Sequence, residues 1–103
     1  MAEYIYSILM ADKIKIWSWG FHDPRIIHNG LTFSVNGFKH KGKVSIQYNE
    51  GQDLFDVFLL DDNDKTVDTI NMVYFDQLIE VIDDKIEKTD DYNDRINKEY
   101  NIG

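Results

Sequence analysis

The apolar residues of this chain change period once, and that change restricts the fold more than any other feature of the sequence. Leu31, Phe33 and Val35 interleave with Thr32, Ser34 and Asn36, and Val44, Ile46 and Tyr48 interleave with Ser45, Gln47 and Asn49. Alternation places every second side chain on one face, which predicts two half-buried antiparallel strands joined near Lys41-Gly42. Glu50-Gly51-Gln52-Asp53 supplies the next turn, and Leu54 to Leu60, apolar at nearly every position, is expected as a central strand. Asp61-Asp62-Asn63-Asp64 closes that strand, and Lys65 to Asn71 returns as a shorter one. Beyond it, Met72, Phe75, Ile79, Ile82 and Ile86 fall at spacings of 3, 4, 3 and 4, with Leu78 widening the stripe. That spacing predicts one amphipathic helix from about Tyr74 to Lys88, laid on the sheet by its apolar face.

The first thirty residues are read less directly. Lys13 to Trp19 alternates as a strand does, with Ile14 and Ile16 on one face and Lys15, Trp17 and Trp19 on the other. His22-Asp23-Pro24 and His28-Asn29-Gly30 are turn formers, so Gly20 to Gly30 is expected as a long loop holding a short extended pair at Ile26-Ile27. Met10-Ala11-Asp12-Lys13 looks like a translation start, which leaves two readings of Met1 to Leu9. It is either an extension in front of the domain or a first element, strand or short helix, built from Tyr4, Ile5, Ile8 and Leu9. At the other end, Thr89-Asp90-Asp91 either caps a short second helix carrying Tyr92, Ile96 and Tyr100 or begins a polar tail that orders only in a complex. The expected architecture is α+β: a four- to five-stranded antiparallel meander with one C-terminal helix packed on one face. Residues 13–90 form the domain, between an N-terminal segment (1–12) and an acidic helix or tail (91–103).

Composition sets the outer bounds. With 103 residues, 43% of them apolar and 14% aromatic, the chain has material for one packed core despite its charge. It contains no cysteine, which excludes disulfides, thiolate nucleophiles and cysteine-ligated zinc, and fits a reducing cytoplasm. The apolar run Ile5 to Ala11 is short and ends at Asp12-Lys13, so neither a signal peptide nor a membrane-spanning helix is expected.

Charge divides between the halves. Through Gln52 six Lys/Arg face four acids, a balance of +2, while from Asp53 onward five bases face fifteen acids, a balance of −10. Clustering of this kind predicts different surfaces for different partners. The positive side falls on the Lys13 strand and the Gly37 to Lys43 tip, and the negative side on the Asp61 to Asp64 turn, the helix and the tail.

Four constellations could carry chemistry. Gly37-Phe38-Lys39-His40-Lys41-Gly42-Lys43 has the spacing of a phosphate loop, but Val44 stands where Ser or Thr binds magnesium and a strand follows instead of a helix. A basic hairpin tip is the better reading. Asp62, Asp64 and Thr66 begin a calcium-loop pattern that Val67 and Val73 break at its glycine and its bidentate glutamate, leaving an acidic turn. His22, His28 and His40 have no spacing that forces convergence, and no serine sits in a nucleophile elbow. No catalytic residue, metal or cofactor is assigned.

The fourth constellation is an aromatic and basic set: Trp17, Trp19, His22, Arg25, Phe38, Lys39, Lys41 and Lys43. Rings among cations suit single-stranded nucleic acid, because bases stack on the rings while the cations neutralise phosphate. Opposite in sign is the face Asp76, Glu80, Asp83, Asp84 and Glu87, where only Asp84 and Lys88 make a favourable pair. Such a like-charge ladder suits a basic partner, or imitation of a phosphate row. The expected function is therefore a small non-enzymatic module binding a protein, a second copy of the chain included. Single-stranded nucleic-acid binding and nucleic-acid mimicry stand as alternatives.

Overall fold

The computed structural model of the chain describes residues 1–87. Five strands, β1 (His22–Ile27), β2 (Gly30–Asn36), β3 (Lys41–Asn49), β4 (Leu54–Leu60) and β5 (Thr66–Val73), form one antiparallel sheet in chain order. Three helices accompany it: α1 (Ala2–Met10), α2 (Lys13–Ser18) and α3 (Leu78–Ile86), the last entered through a single 3-10 turn at Phe75–Gln77. The architecture is α+β, an open meander with a C-terminal helix. The second helix considered beyond Thr89 and the tail at 91–103 lie outside the described residues.

Register follows from the alternation. Leu31 stands opposite Ile46, Ile46 opposite Val57 and Val57 opposite Ile70, so one face becomes an apolar row. Phe33, Val44 and Leu59 form the adjacent row. These side chains join Ile5, Leu9, Ile16, Trp19, Leu78, Ile82 and Ile86 in one core cluster, so all three helices contribute to the same face of the sheet. The opposite face of β4 carries Leu54, Phe58 and Leu60, each half-buried and outside that cluster. Apolar residues on both faces suggested a central strand. β4 is paired on both sides, yet β3 holds the centre.

Three expectations need correction. The segment Lys13 to Trp19 is helical, not extended. Asp12 caps it, its carboxylate accepting from the Lys15 N–H at 3.3 Å, and Ile16 and Trp19 at i and i+3 point into the core. Ile14, paired with Ile16 by alternation, is instead 84% exposed. A seven-residue segment fits both periods, and here the tertiary burial of Ile16 and Trp19 selects the helical one.

The first strand is therefore β1, inside the stretch expected as a loop. It is an edge strand, where proline is tolerated, and Pro24 falls where its pairing with β2 shifts, between His22 and Arg25. Asn29 with φ +51 closes the two-residue turn between Ile27 and Gly30.

Strand β5 runs two residues past Asn71, and Met72 at its end has φ +61 and lies 57% exposed. The helical stripe consequently starts later than its spacing implied. Phe75 is exposed, and the buried line is Leu78, Ile82 and Ile86 at four-residue intervals.

Of the forms open to Met1 to Leu9, the structure has the short helix. This is α1, with Ala2, Ile5 and Leu9 in the common core. Among the described residues no helix is long and apolar enough to cross a membrane.

Candidate interaction surface

The two charge clusters meet inside the molecule. The β2–β3 turn lies on the C-terminal end of α3, where the Lys39 N–H donates to the Ile86 carbonyl at 2.6 Å and the Phe38 N–H to Glu87 Oε2 at 2.6 Å. The Lys39 ammonium donates to the Asp84 carbonyl. A cation at the negative end of a helix dipole is a stabilising placement. The backbone N–H groups that a phosphate loop would aim at an anion are thus spent on the protein's own helix.

Gly37 makes this approach possible. A Cβ there would stand 2.1 Å from Ile86 Cγ2 and 2.9 Å from the Ile86 carbonyl. Since Ile86 is fully buried, it has no room to retreat, and Gly37→Ala is expected to cost about 1–3 kcal/mol. A urea titration followed by circular dichroism measures it. An unchanged midpoint would mean that the turn is not clamped to the helix.

Two further basic residues of the first half are paired with acids. Lys43 Nζ lies 2.5 Å from Asp64 Oδ1 and Arg25 pairs with Asp23 at 3.2 Å. In the acidic half, Lys85 reaches Asp68 at 3.0 Å, and that hydrogen bond holds the Asp68 carboxyl below its ordinary range. Lys15 shares a shallow depression of about 360 Å3 with Glu80, Val81, Asp83 and Asp84, between α2 and α3. His22, Lys41 and Lys43 line another, of about 410 Å3, together with Asp62. The halves are not segregated onto opposite surfaces. Strand pairing and the packing of α3 interleave them, which overturns the expectation of separate positive and negative faces.

The other motifs resolve locally. Asp61 Oδ1 accepts from the N–H groups of Asn63 and Lys65 at 2.9 and 3.0 Å, so this carboxylate shapes its own turn. His22 Nδ1 contacts the Gly20 carbonyl at 2.7 Å and His40 Nε2 the Lys43 carbonyl at 3.3 Å. Among the described residues no three His, Asp or Glu side chains converge as metal ligands.

The two tryptophans separate completely. Trp19 is buried, its ring parallel to Phe33 within 9° at 6.5 Å, and its indole N–H donates to Asp83 Oδ1 at 2.9 Å. Asp83 and Glu87 therefore leave the acidic face: one orients a core indole and the other anchors the turn. Asp76, Glu80 and Asp84 remain exposed, and among the described residues none of these carboxylates forms an ion pair.

Trp17 is 79% exposed. With Ile14, three residues earlier, it forms the outward side of α2, and Lys15 on the flank of that helix faces the acids of α3. The predicted set is thus divided. Trp17 stands on the flank of α2 opposite Lys15, whereas Trp19 lies in the core and Lys39 and Phe38 at the far end of α3. Ile14 was missed, although Asp12 as a helix cap followed by apolar residues at i and i+3 is a signal that finds it. Comparison of the chain with protein-family models, curated proteins and solved structures finds no match.

Proposed function

We propose that this protein is a non-enzymatic interaction module that offers the Ile14 and Trp17 side of α2 to a protein partner. The observation that carries this reading is Trp17, a tryptophan 79% exposed on α2 next to an equally open Ile14. Tryptophan is the residue type most enriched among binding hot spots, because it buries a large apolar area with few torsions to freeze. The chain carries a net charge of −8, so the complementary partner carries an apolar socket bordered by Lys and Arg. The nucleic-acid alternative loses its main support, since its second ring, Trp19, is in the core and Lys39 and Lys43 already serve acidic or carbonyl partners.

Photocrosslinking from a benzophenone side chain placed at position 17, compared with one at position 62, tests the surface in the native cell. A discrete adduct is expected from position 17 only. With the captured protein in hand, Trp17→Ala should weaken binding by roughly 30-fold, and Asp84→Lys should slow association. Folding stability should stay within about 0.5 kcal/mol of wild type. Identical adducts from both positions, or unaltered affinity in Trp17→Ala, would remove α2 as the contact. If the adduct is a second copy of the chain, sedimentation of Trp17→Ala should show the monomer.

A further inference from the structure

Asparagine stands directly before glycine twice in this chain, at Asn29-Gly30 and at Asn36-Gly37. In such a pair the glycine nitrogen attacks the asparagine Cγ with little hindrance, because the second residue has no Cβ. A C–N bond forms, the side-chain amide leaves as ammonia, and the succinimide takes up one water to open as an aspartyl or an isoaspartyl residue. Water is the only co-reactant. The asparagine side chain must first swing onto its own backbone, and the fold treats the two asparagines differently in that respect.

Asn29 is held at three points. Its Nδ2 donates to Glu50 Oε1 at 3.3 Å, its carbonyl accepts from the Tyr48 N–H at 2.8 Å, and its backbone is left-handed at φ +51 in the two-residue turn. Asn36 ends β2 and is exposed, and although its N–H donates to the Trp19 carbonyl at 2.8 Å, its side-chain amide makes no hydrogen bond among the described residues. Both glycine nitrogens are engaged, Gly37 with the His40 carbonyl at 3.0 Å and Gly30 in the pair with Ile27, so the difference lies with the asparagines. We propose that Asn36 is a site of spontaneous deamidation in the folded protein, while Asn29 is protected. The site bears on the turn clamped to α3. An isoaspartyl link adds a methylene to the backbone just before Gly37, where even a Cβ would fall 2.1 Å from Ile86 Cγ2, so that product loosens the turn. The aspartyl product keeps the backbone and sets a carboxylate opposite Lys41. The reaction is independent of the α2 surface and of the function proposed for it.

The test holds the full chain at mildly alkaline pH and samples it over days. Electron-transfer fragmentation of its peptides locates the aspartyl and isoaspartyl products, and released ammonia is measured in parallel. Position 36 is expected to convert several-fold faster than position 29, with one ammonia per conversion. In concentrated urea, where the fold is lost, the two positions should react at similar rates, since each precedes a glycine. Ion exchange then separates the products, and the isoaspartyl form should unfold at a lower urea midpoint than Asn36→Asp, which carries the charge without the extra backbone atom. Equal or faster conversion at position 29 in the folded chain would overturn the inference. So would the same preference for position 36 in urea as in buffer, or a folded chain that reacts at neither position. An isoaspartyl form as stable as Asn36→Asp would overturn the effect on the clamp. Trp17→Ala should react at the wild-type rate whatever becomes of the partner contact, so the two proposals fail separately.

Discussion

Trp19→Ala is expected to destabilise the fold by about 3–5 kcal/mol. The indole is fully buried, lies against Phe33 and is reached by the Asp83 carboxylate. Its removal forfeits apolar burial, opens a cavity between α2, β2 and α3, and leaves Asp83 without its donor. For a domain of ordinary stability, about 5–15 kcal/mol, that is a large fraction of the total. Trp19→Phe separates the contributions: it retains a ring in the core and loses only the hydrogen bond and some volume, for a cost nearer 1–2 kcal/mol by the usual worth of such a bond. Urea unfolding monitored by circular dichroism measures both, and Trp17→Ala is the internal control, with almost no stability change. Equal stability losses at positions 17 and 19 would contradict the placement of α2.

A chain beginning at Met10 should lose cooperative folding altogether. It lacks Ala2, Ile5 and Leu9, all in the core, and with them the covering of Leu31 and Phe33 on β2. Single truncations in the remaining core cost about 2–5 kcal/mol each, so removing two large side chains and their helix approaches the whole stability of a domain this size. Leu9→Ala in the full chain gives the graded version, with a loss of about 2–5 kcal/mol. Amide proton dispersion and a thermal scan decide the matter. If the shortened chain unfolds in one transition close to that of the full chain, α1 is an accessory and not part of the core.

The strands β2, β3 and β4 were legible because each carries its own pattern. Phe33, Val44 and Leu59 alternate with polar or half-buried neighbours over seven to nine residues, and turn formers bound every run. The helical line Leu78, Ile82, Ile86 was legible for the same reason, though its start was misjudged because Met72 and Phe75 extend the spacing without being buried. The candidate surface was only half visible. Trp17 was found and Ile14 placed on the wrong side, since an alternating seven-residue run carries two readings and only one of them buries Trp19.

What the sequence determined by itself was therefore local: which residues alternate, where turns fall and where the period becomes helical, all properties of neighbours on one short stretch. The tertiary structure decided which of two local forms Lys13 to Trp19 adopts and which tryptophan stays in water. It also decided where the charges go. Phe38 bonds to Glu87 across 49 residues and Trp19 to Asp83 across 64. No local pattern encodes such contacts, because they exist only once the sheet has closed and α3 has found its face. The division of charge along the chain is thus joined in the fold, and the open surface is left to Ile14 and Trp17.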